Sequence, residues 1–198
     1  MEIMHKKFVF IIIILFLGCG DEFIADNPID PQNPDYSPPV VTIISGPIEN
    51  EVVDSMDVTF AYSGNQELES MLFRTQMDQE EWSEWGNELS ITYTHLNEGG
   101  HRFKLQSMYT TGDESPIVEV YFIVDAVHGP ALLFYPHRHI TQRNEKVIFM
   151  VMAEEVINLA ASEFTINFDP VALQVSSITQ GTLFPTSGDA LFFDDVNQ

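Results

Sequence analysis

The strongest constraint on this chain lies between residues 40 and 125, where apolar-rich runs of five to eight residues recur, each ended by Gly, Pro, Asn or Asp. The runs are 40–44, 58–62, 71–77, 89–93, 102–109 and 117–124. Each is too short for a stable helix, and no period of 3.6 competes with the alternation of apolar and polar positions. A period of two puts the large side chains of a run on one face, and that face has to be covered. Six or seven such strands at roughly ten-residue spacing form a two-sheet sandwich of immunoglobulin size, about 100 residues. Residues 40–126 are therefore expected to be a complete all-β domain.

A second apolar region follows the short stretch Ala126, Val127, His128, Gly129 and Pro130, in which glycine and proline mark a hinge. Residues 131–135 are expected to be its first strand. Nearly every residue of 147–153 is apolar, which predicts a strand buried on both faces or set in the core of a sandwich. Phe164, Ile166 and Phe168 then alternate with Thr165, Asn167 and Asp169, so the three large side chains share a face. Asp169-Pro170 ends that run, because proline has no N–H and biases the residue before it away from helix. Leu173, Val175 and Ile178 resume the apolar face before Gly181.

The combination of Phe164, Phe168, Asp169, Pro170, Leu173 and Gly181 resembles the early strands of cohesin modules of cellulosome scaffolds, over residues 131–193. The resemblance implies a jelly-roll sandwich related to carbohydrate-binding modules, and a dockerin-bearing protein of polysaccharide breakdown as partner. It also implies Glu163, Thr165 and Asn167 as partner-binding positions, since they point away from the apolar set. Two other readings stay open: direct binding of polysaccharide by a carbohydrate-binding module, and a structural spacer before a further domain. A second sandwich needs about 100 residues and 131–198 supplies 68, so this module is expected to be incomplete at its C-terminus.

Within the first domain, Trp82, Ser83, Tyr93, Thr94, Leu96, Gly99 or Gly100, His101 and Phe103 resemble fibronectin III-like, Y_Y_Y-type modules of bacterial surface and sensor proteins. Such modules act mostly as spacers or dimer supports. Leu96 is expected to plug the end of the sandwich, while the glycines permit a positive-φ turn. Trp82 and Trp85 offer flat faces on which a sugar ring stacks, although a tryptophan in a sandwich loop more often covers the core.

The N-terminus reads as targeting. His5, Lys6 and Lys7 precede a ten-residue apolar run, 8–17, shorter than the ~20 residues that span a bilayer. The run ends in Leu15-Phe16-Leu17-Gly18-Cys19, similar to the lipobox of bacterial lipoproteins, which implies a signal peptide over 1–18 and a lipid on Cys19. A single cysteine in an exported chain forms no internal disulfide, which agrees with lipidation. Residues 19–39 contain five prolines and are expected to be an extended, semi-rigid tether. Gly20-Asp21-Glu22 is similar to acidic tags that direct lipoproteins to the outer face of the outer membrane. The location implied is the bacterial cell envelope, surface-exposed, with membrane contact through the lipid alone.

With 30 acidic and 8 basic residues the chain carries −22, a field that repels nucleic acid and anionic membrane. No phosphate loop, nucleophile elbow or zinc-protease helix occurs. The carboxylate pairs, such as Glu154 with Glu155, are neighbours on turns and do not face each other across a cleft as glycosidase chemistry requires. His137 and His139 share a strand face, but no third ligand follows at a fixed spacing. The expectation is a chain with no catalytic residues, no cofactor and no metal.

Overall fold

The computed structural model describes residues 26–183 and divides into two units, Met1–Pro38 and Pro39–Gln198. Cys19 and the signal segment lie outside the described residues. The described part of the first unit is a run of tight turns. Asn27, Asp30 and Asn33 each precede or flank a proline, and each side-chain oxygen accepts from the backbone N–H two residues on, at 3.1, 2.9 and 2.8 Å. Their carbonyls accept from Asp30, Asn33 and Tyr36 at 2.8–3.0 Å. The expected extended tether is thus corrected over this stretch, because Asx side chains close turns that proline at the next position already favours.

The second unit contains an immunoglobulin-like sandwich of seven strands, β1 (Val41–Ser45), β2 (Glu51–Val53), β3 (Val58–Gly64), β4 (Met71–Met77), β5 (Ser90–Tyr93), β6 (Gly99–Tyr109) and β7 (Val118–Val124). One sheet has the order β1-β3-β5 and the other β2-β7-β6-β4. All pairings are antiparallel except β2 with β7, which run parallel with Glu51 opposite Phe122. β2 has no counterpart among the expected runs. It is three residues long and largely exposed, Val52 included, so it has no buried face to leave an alternation in the sequence.

Alternation is realised strand by strand. In β4, Met71, Phe73, Thr75 and Met77 are buried and the residues between them are partly exposed. β3 contributes Val58, Phe60 and Tyr62, β6 contributes Phe103, Leu105 and Tyr109, and β7 contributes Phe122 and Val124. The sheets meet where Phe60 stacks on Phe103 with ring centroids 3.8 Å apart, while Phe122 meets Phe60 edge-on at 5.7 Å and Tyr93 meets Phe103 at 6.1 Å. Gly46, at φ 126°, lets β1 leave its ladder beside the Phe60 ring, where any side chain would collide.

Beyond the sandwich, β8 (Ala131–Tyr135) and β9 (Met150–Glu154) form an antiparallel pair with Ala131 opposite Glu154. The expected strand over 147–153 is shifted toward its C-terminal end. Its burial on both faces is overturned: Ile148, Phe149, Met150 and Met152 are all exposed. Residues 164–168 join no ladder, and Phe164 and Ile166 are about half exposed. Of the stretch 164–170, the Asp169 corner forms as expected. Its side chain accepts from Val171 N–H at 2.9 Å and its carbonyl from Ala172 and Leu173. Among the described residues there is no second sheet over β8 and β9, so the apolar face that alternation produces has no opposing layer there.

Candidate functional site

Three surfaces carry the side chains the sequence singles out. The first is a loop folded along β4. Phe73 exchanges both backbone hydrogen bonds with Gly86, at 2.7 and 2.9 Å. Ser83 N–H donates to the Thr75 carbonyl at 2.8 Å, and Thr75 N–H donates to Ser83 Oγ at 2.9 Å. Ser83 therefore completes the ladder at this edge. It also fixes Trp82 and Trp85 against Arg74, whose guanidinium carbon lies 4.9 and 4.3 Å from the two ring centroids. Opposite Arg74 in the β4–β6 register is Gln106, whose Oε1 accepts from Arg74 Nε and Nη2 at 3.0 and 2.6 Å. Nη2 also reaches Glu114 at 3.4 Å. A guanidinium over the rings supplies the cation–π contact that a sugar would otherwise replace with C–H stacking.

The second surface is a shallow groove of about 490 Å³ over β6 and β7, lined by Asp78, His101, Arg102, Lys104, Glu119 and Tyr121 among others. His101 is nearly buried. Its Nδ1 lies 2.8 Å from Asp78 Oδ2 and its Nε2 2.8 Å from the Asn97 carbonyl. The carbonyl only accepts, so Nε2 carries a proton, and the carboxylate favours a second proton on Nδ1. Burial by itself lowers the His101 pKa, but the Asp78 and Asn97 hydrogen bonds outweigh it and the net direction is upward. For Asp78, burial acts upward, while His101 and the Arg102 N–H bond hold the carboxyl below its ordinary value. With both ring nitrogens engaged, the imidazole has no lone pair for proton abstraction. The pair ties the turn after β4 to β6.

The third surface is the expected partner-binding segment. Glu163, Thr165 and Asn167 are exposed, as that reading requires, but Phe164 and Ile166 between them are exposed too. The structure does not join these residues to the other two surfaces. His137 and His139 also part company. His137 is partly buried with its backbone N–H on Asn97 Oδ1 at 2.8 Å, and His139 is exposed with its ring 6.4 Å from Phe149.

The sequence gives no hint of the polar turn that holds the hinge. Glu98 accepts from Ala126 N–H at 3.2–3.3 Å and from Val127 N–H at 3.0 Å, and Glu155 Oε2 accepts from Gly129 N–H at 2.7 Å. Leu96 is half-buried, with its N–H on the Met56 carbonyl at 2.9 Å, and Gly99 has φ 107°. The end of the sandwich is thus closed by the turn that Leu96 and the glycines mark, and the same turn grips the linker.

No protein-family model and no curated protein matches the chain. Among solved structures it is similar to the extracellular domain of a hybrid two-component system from B. thetaiotaomicron, at 14% identity and a TM-score of 0.34, over 44% of this chain and 15% of that one. It is also similar to the PKD domain of an M14-like peptidase from a Thermoplasmatales archaeon, at 16% identity and a TM-score of 0.31, over 44% of this chain and 92% of that one. The chain is an all-β protein with an immunoglobulin-like sandwich. No helix among the described residues is long and apolar enough to cross a membrane.

Proposed function

We propose that this chain is a non-catalytic cell-surface lipoprotein, anchored through Cys19, whose sandwich is a stalk for a cohesin-like binding module beyond residue 130. Its partner on this reading is a dockerin-bearing protein linked to polysaccharide breakdown. The observation that supports it best is the exposed row Glu163, Thr165 and Asn167, in a segment that joins no ladder and ends at the Asp169 corner. A row with no structural task inside the fold is available to a partner. The hinge contacts suit a stalk, since Glu98 holds the linker to the sandwich and Glu155 holds it to the turn after β9.

The test is retention of the full chain on immobilised dockerin-bearing proteins, beside a Glu163→Ala, Thr165→Ala, Asn167→Ala triple variant. Retention of the parent and its loss in the variant support the reading. No retention, together with a shift in tryptophan fluorescence on adding soluble glycans, replaces it with direct polysaccharide binding. Metabolic labelling with a fatty-acid analogue, absent in Cys19→Ser, tests the anchor independently.

A further inference from the structure

The metal-ligating side chains that the fold brings together are not His137 and His139. Asp125 directly follows β7, His128 lies in the hinge, and Glu155 directly follows β9. One ligand atom from each lies within 4.8 Å of the other two. Asp125 and His128 stand three apart in the stretch after β7 and Glu155 comes from the far end of the β8–β9 pair, and two of the three are fixed by contacts of their own. Asp125 N–H donates to the Val53 carbonyl at 2.8 Å, which continues the β2–β7 pairing. Glu155 Oε2 accepts from Gly129 N–H, and the hinge passes so close that a side chain at Gly129 would collide with the Glu154 carbonyl oxygen. His128 Nδ1 is 4.0 Å from Asp125 Oδ1, too far for a hydrogen bond.

One imidazole nitrogen and two carboxylates form the three-ligand set of an open tetrahedral zinc site, with bonds of about 2.0–2.2 Å and water as fourth ligand. Calcium fits poorly, because it takes six to eight oxygens and no nitrogen here helps it. Ligand atoms around a tetrahedral ion stand roughly 3.4 Å apart. Atoms within 4.8 Å of one another therefore have to close by up to about 1.4 Å, which side chains at the surface achieve by χ rotations. Two carboxylates in a chain of charge −22 supply the local field that favours a dication.

We propose that Asp125, His128 and Glu155 bind a divalent transition-metal ion of the zinc type at the hinge. The ion cross-links the end of β7, the linker and the turn after β9, so that the hinge stiffens when metal is present. This holds whatever partner the second module takes.

The experiment is a zinc chloride titration of the full chain against a chromophoric chelator, with the ring resonances of its six histidines followed by NMR. One equivalent of zinc is expected to bind, with His128 shifting first, and the affinity to fall at least about tenfold in His128→Ala and in Glu155→Gln. Glu155→Gln retains a side-chain oxygen for Gly129 N–H, so its loss does not come from a released hinge. His139→Ala is expected to bind as the parent does. Absence of stoichiometric binding, a first shift at His137 or His139, or equal binding in both hinge variants overturns the proposal. Should a variant fail to fold, the order of histidine shifts in the parent chain decides alone.

Discussion

β4 and residues 164–168 carry the same kind of pattern and meet opposite fates. Met71, Phe73 and Met77 alternate with partly exposed residues and are buried, while Phe164 and Ile166 alternate with polar residues and are half exposed. The difference is the company each keeps. β4 pairs along its whole length with β6, and its inner face meets a second sheet through Tyr62 and Phe73, 5.5 Å apart. Among the described residues, 164–168 have neither a ladder nor an opposing sheet. Alternation thus specifies which side chains share a face, and a second layer decides whether that face leaves water.

The contrast is broken most forcefully at its centre. Phe103 is fully buried, stacked on Phe60 and touched edge-on by Tyr93. Phe103→Ala is expected to cost about 3–5 kcal/mol, a large share of the stability of a small domain at roughly 5–15 kcal/mol. The midpoint of urea unfolding, followed by tryptophan fluorescence, measures it. A loss below about 1.5 kcal/mol would mean that the two sheets do not close on Phe103 as described.

A smaller effect is expected at the loop that covers β4. Arg74→Met removes the cation over Trp82 and Trp85 and leaves the buried Gln106 Oε1 without its donor. The expected cost is about 1–2 kcal/mol, with a changed tryptophan emission in the folded state. If emission and stability both stay as in the parent chain, the tryptophans are not held by Arg74.

The sandwich was largely legible because its strands are long enough, and buried enough on one face, to print alternation into the sequence. Met71–Met77 matches its expected bounds, whereas the exposed β2 left no trace. The run 147–153 misled for a physical reason: an all-apolar stretch states that burial would be favourable, not that a covering layer is present. At the candidate sites, Trp82 and Trp85 were visible as residue types. Their engagement by Arg74 was not, because it depends on the β4–β6 register and on a loop folded back along β4. Asp125 and His128 are neighbours in sequence, but Glu155 joins them only through the β8–β9 pairing, which no local spacing encodes.

The His101–Asp78 pair tests one end of the same sandwich, where an expected effect of at most about 1 kcal/mol is set by a half-exposed carboxylate. The folded pKa of His101 lies above its ordinary 6.5, so its contribution is complete below about pH 6.5 and is lost as pH rises through the folded value. The folded pKa of Asp78 lies below its ordinary 3.8, so its contribution is present above about pH 4 and is lost on further acidification. Stability from the pair is therefore greatest between about pH 4 and 6.5 and declines as pH rises through the folded pKa of His101. His101→Gln is expected to flatten that decline in urea midpoints measured across the range. An unchanged slope would show that some other group causes it.

The smallest effect is expected where apolar side chains stay in water. Replacing Phe164 and Ile166 together by serine removes two large apolar groups, which in the core of the sandwich would cost several kcal/mol. At about half exposure, and with no ladder to hold them, they gain little from folding, so the expected change in sandwich unfolding is under about 0.5 kcal/mol. Solubility is expected to rise as apolar surface is removed. A loss above about 2 kcal/mol would mean that both side chains are covered in solution and would erase the contrast with β4. An unchanged midpoint with weakened retention on a dockerin-bearing protein would instead place them, with Thr165 between, on the surface the partner uses.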